Sequence, residues 1–423
     1  MNTSQNATIE KYLQKYAEPE VRHFDALNLD VFNNCLVIPA YQEEYTSLKK
    51  VWLQLDKNVL IILIVNSPKA GDEKTHDLIK DIQIDSHTRR ANQNLSFLVN
   101  TEGRSILLVD RCSMPIPPKQ GVGLARKIGA DIALSLIVNK KIESPWIFCT
   151  DADVSLPSSY FDVVTNVDDA CSAFIYPFQH QTTQAHQHAC QLYESSLLYY
   201  VVGLKFASSA YAYTTIGSTI AISAYAYAAV RGFPCRSAGE DFYLLNKLAK
   251  VGNIQQISAP IIVISGRLSE RVPFGTGVGI KRILDKPDSE VELLFYNPLV
   301  FLALKALLEK LRTCQESAKL KEYFAQDSDF GSILVHWGES TGVFDTIKSK
   351  QSQRAPVFNK FIHDWMDAKR TLKFIHMVRN DHFPSLPWQA LLDGTVLQKK
   401  DPNLSQIEPK HFHTILRQVH EQP

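Results

Sequence analysis

The sequence predicts an α/β fold, a mixed and mainly parallel sheet flanked by helices, followed by a mostly helical C-terminal region. Residues 59–65 (VLIILIV) form a β-branched run without a charge, the pattern of a strand buried on both faces of a parallel sheet. Strand-like and helix-like segments then alternate as they do in βαβ units, and from about residue 289 the strand signal fades into helical periodicity. At 423 residues the chain exceeds what one core usually organises, so about two domains are expected. The expected divisions are a lead-in at 1–30, an α/β domain at 31–288 and a helical region at 289–423.

The elements are read in order. Residues 1–30 are a polar helical lead-in, and 35–39 (CLVIP) is the first strand, ending in a turn at proline. A crossover helix at 44–55 leads to the strand 59–65, and a second helix at 72–84 follows. A short strand at 106–109 and a Pro-rich loop precede a helix over 121–138 with Ala, Leu and Ile on one face. Residues 146–150 (WIFCT) form a strand running into Asp151. Further strands are expected at 173–176 and 261–264, and further helices at 186–204 and 241–251.

Lys and Arg number 45 against 44 Asp and Glu, so no basic field marks nucleic acid as a partner. The 7 cysteines, an odd number with no CxxC pair, fit neither a disulfide framework nor a zinc site and suit a reducing cytoplasm. The first residues lack a signal-peptide core, and no apolar run reaches about 18 residues, so no transmembrane segment is expected. Peripheral contact with a membrane is left open.

Asp151-Ala152-Asp153 is the strongest single chemical feature, because it sits at the carboxyl end of a predicted strand, where open α/β sheets bind ligands. Two carboxylates flanking one small residue can offer oxygens to a hard cation, and Mn2+ or Mg2+ held there can neutralise a diphosphate leaving group. The plainer alternative is a polar turn. Three companions stand in one order with it: Val37-Ile38-Pro39-Ala40-Tyr41-Gln42-Glu43-Glu44, Gly121-Val122-Gly123-Leu124-Ala125-Arg126-Lys127-Ile128-Gly129, and Gly239-Glu240-Asp241 ahead of a Leu-rich helix. Over about residues 31–285 this set resembles the family 2 type glycosyltransferases of the Rossmann-like GT-A fold. Their members typically show a VIPAYNEE-like start, a GxxxARNxG-like helix, a DxD, and a GED or ED before a helix.

The resemblance implies a UDP- or GDP-sugar donor and an acceptor hydroxyl of unidentified nature. It implies that Pro39, Tyr41 and Glu43 line the nucleotide pocket, with Asn66 where the family often has an aspartate contacting the base. Gln120, Gly121 and Arg126 would support the donor side. Asp153 would bind the metal, and Asp151 would bind the ribose or the metal through water. Asp241 would be the general base, with Glu240 orienting it or touching the acceptor. An inverting transfer needs a base opposite the departing diphosphate, and a carboxylate partly withdrawn from water has its pKa raised into the useful range. The plainer reading of 239–241 is a helix N-terminus, where acidic residues are favoured by the dipole.

Gly217 and Ser218, the apolar stretch to Val230, and Arg231-Gly232-Phe233-Pro234 resemble the family's acceptor-side segment with its GGFP-like turn. A strand, a helix and a tight turn in the core is the alternative for the apolar part. The sequence departs from the family pattern at Gln42, where Asn is usual, and at Asn66, where Asp is usual.

Arg267 and Arg271, followed by 274–279 (FGTGVG), offer guanidinium and backbone N–H groups that suit a diphosphate or an anionic acceptor, although surface loops often share this composition. His180, His186 and His188 read as a solvated loop and not as a zinc site, and Trp337, Trp365 and Trp388 as helix-packing anchors. A nucleotidyltransferase of the sugar-nucleotide pyrophosphorylase type would carry a Gly-rich loop after the first strand, where 39–43 (PAYQE) has no glycine. A dinucleotide-dependent oxidoreductase would need GxGxxG/A after a strand, but here the sixth position is Arg126. A non-catalytic nucleotide-sugar-binding protein on the same fold would follow if the acidic residues did not converge.

Overall fold

The structure, a computed structural model, describes residues 3–23, 27–163, 168, 170–269, 275–285, 293–391 and 409–421. The chain forms two compact units, 1–181 with 215–275, and 182–214 with 276–423. The lead-in thus belongs to the first unit, and the segment 182–214 to the second.

The first unit carries β1 (Asn34–Ala40), β2 (Val59–Asn66), β3 (Ser86–Asn92), β4 (Leu95–Asn100), β5 (Ser105–Arg111), β6 (Trp146–Cys149), β7 (Val154–Ser155), β8 (Cys171–Ile175), β9 (Phe178–Gln181), β10 (Ile220–Ser223), β11 (Asn253–Gln256) and β12 (Ile262–Ser265). Nine of these make one sheet in the order β11-β8-β10-β6-β1-β2-β5-β4-β3, and β7-β12-β9 make a second. In the large sheet β1, β2, β5 and β6 run parallel, while β4 and β10 run antiparallel to their neighbours. The uninterrupted apolar run of β2 is buried at every position, as a central parallel strand requires. β3 reads SHTRRAN, is exposed at its centre and occupies the sheet edge, where arginines deter pairing with another chain.

The chain visits β1, β2 and β5 in one direction, then crosses through α4 (Gly121–Val138) to β6 on the other side of β1. Strand order therefore reverses between β1 and β6, the point at which such sheets open a crevice beyond their carboxyl ends. Val37 O accepts from Thr150 N–H at 3.0 Å, so alternate positions of β1 face β6 in the ladder. Pro39, without an N–H, falls beyond the last β1–β6 pair at Val37 and Cys149, where no donor is needed. It is a buried residue inside β1 and not part of a turn, unlike the expectation from sequence.

The other helices of this unit are α1 (Thr3–Lys15), α2 (Tyr45–Trp52), α3 (Glu73–Ile84), α6 (Ala224–Ala229) and α7 (Glu240–Leu248); α5 (Gln187–Phe206) belongs to the second. α4 is buried almost throughout, from Gly123 to Ile137, and packs on β1 and β2. A charge in such a helix must be paired. Asp131 is wholly buried, and its Oδ1 accepts from Tyr12 Oη at 2.6 Å and from Tyr227 Oη at 2.7 Å. Its Oδ2 accepts from Lys127 Nζ at 2.6 Å and from Glu18 N–H at 2.8 Å. Four donors on one carboxylate offset the cost of removing it from water and fasten α1 to α4.

The second unit is mainly helical: α5, α8 (Thr276–Leu284), α9 (Pro298–Thr313), α10 (Leu320–Ala325), α11 (Gly331–Thr341), α12 (Val343–Lys348), α13 (Ala355–Trp365), α14 (Ala368–Asp381) and α15 (Pro409–Glu421), with a two-stranded sheet of β13 (Leu294–Phe295) and β14 (Leu386–Pro387). Asn297 caps α9 by accepting from Leu299 N–H, and Pro298 takes the first turn, where a missing donor costs nothing. Trp337 and Trp388 are buried, the first edge-on to Trp365 at 5.6 Å and the second stacked on Phe412 at 5.7 Å. Among the described residues no helix is long and apolar enough to cross a membrane. All 7 cysteines are free thiols.

Candidate active site

The loop after β1 lies at the carboxyl end of that strand, beside the strand-order reversal. Gln42 adopts a left-handed backbone, φ 52°, a conformation that asparagine enters more readily than glutamine. Its amide Nε2 donates to Asp72 Oδ2 at 2.8 Å, and Asp72 in turn caps α3 through Thr75 N–H. That bond steadies the bend, after which the Glu43 side chain is almost fully buried while Tyr41 stays partly exposed. Asn66 ends β2, buried and opposite Arg111 of β5.

On the other side of the reversal stands the end of β6. Asp151 Oδ1 accepts from Arg126 Nη2, and Thr150 O accepts from Arg126 Nη1 at 3.3 Å. On its other edge the same guanidinium donates from Nε to Glu240 Oε1 at 2.9 Å. Arg126 is buried, and its charge survives because Asp151 and then Glu240 outweigh the burial that opposes it. Gly217 packs flat on this group, and a Cβ there would lie 2.6 Å from Arg126 Nη2. One arginine thus joins the strand-end aspartate to the start of α7.

The start of α7 is fixed from below. Gly121 has φ 39°, and a Cβ on Gly123 would lie 2.4 Å from Pro234 O and 2.5 Å from Arg236 N. The two glycines let the segment 234–237 lie against the first turn of α4, where Gly123 N–H donates to Arg236 O at 2.9 Å. Gln120 stands at the N-cap of α4 and makes no side-chain cap bond. Lys247 of α7 donates to Val230 O and Gly232 O, each at 2.8 Å, and holds the other end of the same turn.

Glu240 and Asp241 open α7 after Gly239, which sits at φ 70°. Glu240 is buried, and burial raises its pKa while Arg126 opposes the rise. Asp241 keeps partial exposure, and its Oδ1 accepts from Phe242 N–H at 2.7 Å. Burial, and next the charge of Glu240, push its pKa up to about 7; Arg126 and Asp151 are near enough to bear on it as well. A carboxyl poised near neutrality beside a cleft can exchange a proton with a bound hydroxyl.

Arg267 joins the loop after β1 to the second carboxylate of the DxD. Its Nη2 donates to Glu43 Oε1, and its Nε lies 3.0 Å from Asp153 Oδ2. Arg271 lies outside the described residues. Mg2+ and Mn2+ take oxygen ligands and commonly share one or two carboxylates with phosphate and water. Asp151 and Asp153 supply such oxygens, and among the described residues no group of three or more His, Cys, Asp or Glu converges. The donor set therefore fits a cation held jointly with a diphosphate and does not fit an all-protein cage.

Other expectations are redistributed. Ser218 is fully buried, and its Oγ has no hydrogen-bond partner; residues 217–229 form a short 3-10 turn, β10 and α6. Gly277 and Gly279 lie inside α8, with Gly279 against Tyr193, so this stretch is helix and not a ligand loop. His180 is buried in β9 beside Phe178, which corrects the reading of all three histidines as a solvated loop. Residues with no signal in the sequence are Tyr12, Asp131 and Tyr227, whose meeting depends on distant parts of the chain.

No protein-family model matches the chain, and no curated protein matches it. Among solved structures it is similar to S. aureus TarS 1–349 in complex with UDP-GlcNAc, at 10% identity and a TM-score of 0.38, over 82% of this chain and 92% of that one. It is similar to the mannosyltransferase PcManGT from Pyrobaculum calidifontis in complex with GDP-Man and Mn2+, at 12% identity and a TM-score of 0.35, over 99% and 94%. It is also similar to GalNAc-T7 with UDP, GalNAc and Mn2+, at 12% identity and a TM-score of 0.36, over 84% and 58%.

Proposed function

We propose that this chain is a glycosyltransferase that moves a hexose from a UDP- or GDP-sugar to an acceptor hydroxyl, with inversion and with Mn2+ or Mg2+. The observation that carries the reading is the single guanidinium of Arg126 linking Asp151 of the DxD to Glu240 of the GED. That link brings Asp151 and Glu240 to one guanidinium and supports reading the two acidic motifs as one site.

In this reading Pro39, Tyr41, Glu43 and Asn66 form the nucleotide side, and Gln120 and Gly121 support it through the first turn of α4. Asp153 and Asp151 hold the cation, whose chemistry when bound is to neutralise the departing diphosphate. Arg126 acts through Asp151 because its guanidinium is buried. Arg267 serves the diphosphate, and Arg271 is assigned to it with Arg267. Gly217 and Ser218 back the acceptor side.

Asp241 takes the proton of the acceptor hydroxyl as that oxygen bonds to the anomeric carbon, while the bond from carbon to the diphosphate oxygen breaks and its electron pair leaves with the nucleotide. Glu240, held by Arg126, keeps the base aimed at the acceptor. The deciding experiment is a screen of UDP- and GDP-sugars for Mn2+-dependent donor hydrolysis and transfer. Activity is expected in the wild type and absent in Asp153→Ala. A product with retained anomeric configuration would remove Asp241 as the base.

A further inference from the structure

The reach of Arg267 is set by strand pairing. β12 runs antiparallel to β7 with Ile264 opposite Val154, and Ser265 N–H donates to Asp153 O at 3.0 Å. Two residues further on, the Arg267 side chain comes back to the carboxylate of the same Asp153. Its Nε–H is not directed at that oxygen, so the contact is a charge pair without an aligned hydrogen bond. The Glu43 contact is a directed, charge-assisted hydrogen bond. The Glu43 side chain is 6% exposed and that of Asp153 24%, so the carboxylate in the looser contact is the more accessible of the two.

A guanidinium and a divalent cation bring like charge to one carboxylate, and each raises the free energy of the other there. A diphosphate changes the balance, since its oxygens match the fork of a guanidinium and can neutralise both charges. We propose that Arg267 competes with the divalent cation for Asp153 until a nucleoside diphosphate draws the guanidinium away, so that cation and nucleotide load the site together. The inference rests on the glycosyltransferase reading above. It makes Arg267 a positioning residue that sets the order of loading as well as a donor contact.

The test counts free Mn2+ by electron paramagnetic resonance on the full chain, with and without UDP or GDP. In the wild type, nucleotide is expected to tighten Mn2+ binding about tenfold or more, within the usual range of coupling between ligands. Arg267→Gln is expected to bind Mn2+ alone about fivefold more tightly than the wild type, with the nucleotide effect reduced by a similar factor. Unchanged Mn2+ affinity in Arg267→Gln overturns the competition. So does tightening by the same factor with and without nucleotide, which marks a general charge effect. The wild-type arm stands without any variant: a nucleotide that leaves Mn2+ affinity unchanged also overturns it. Mn2+ binding that survives in Asp153→Ala, or that is missing from the wild type even with nucleotide, instead overturns the metal reading itself and the competition with it.

Discussion

Arg126 and Glu240 meet with Nε 2.9 Å from Oε1, and their side chains are only 3% and 5% exposed. Two opposite charges at that depth are stable only as a pair, because either one left alone faces the full cost of desolvation. The pair therefore works as a joint between the end of β6 and the beginning of α7.

Arg126→Met should destabilise the fold by about 3–5 kcal/mol, the usual cost of leaving a buried partner unpaired. The double variant with Glu240→Gln should recover part of that loss. Urea denaturation of both variants checks this, and additive losses would mean that the two residues do not act as a pair.

If Asp241 is the base proposed above, Asp241→Asn should lower kcat by about 100-fold or more while leaving nucleotide affinity within about twofold, because the carboxylate would act on the acceptor proton. Steady-state kinetics beside calorimetric titration of UDP and GDP separates the two effects. A matching loss of nucleotide binding would point to a structural role.

The rate should also depend on pH in a defined direction. As the proposed base, Asp241 must be ionised to accept a proton, and its pKa is raised to about 7 by burial and Glu240. Transfer should fall about tenfold per pH unit below that value and level off above it. For stability the sign is opposite. The folded state holds this proton more tightly than the unfolded chain, so its contribution to stability is present at low pH and is lost as pH rises through about 7. Asp241→Asn should flatten both dependences.

Gly123→Ala places a methyl group against backbone atoms of Pro234 and Arg236 that cannot swing aside. A cost of about 1–3 kcal/mol is expected from the forced shift. Transfer should suffer more than nucleotide binding, since the displaced segment leads into Gly239 and Asp241. Melting curves and a comparison of kcat with nucleotide affinity check this.

Much of the sheet was legible because β1, β2, β5 and β6 are buried on both faces and carry their apolar runs openly. β3 and β4 were not, since an exposed edge strand such as SHTRRAN lacks the alternation that marks a half-buried one. In the small sheet β12 was expected at 261–264, whereas β7 and β9 escaped for a different reason: they are two and four residues long and are paired through register alone. At the site, the acidic motifs could be read from their positions at a strand end and a helix start. What they touch could not. Arg126 lies 114 residues from Glu240, and Arg267 lies 224 from Glu43, so only the folded topology pairs them.

Asp131 carries a last consequence, for the order in which the chain can be finished. α1 is made before the rest of the first unit, yet the carboxylate that takes the Tyr12 hydroxyl is 119 residues away, and Tyr227 shares the same oxygen. Closing so long a loop is entropically costly until much of the sheet exists to reward it. α1 must therefore wait, its apolar face uncovered, while most of the first unit is being made. During synthesis that interval is when a holding chaperone would matter most.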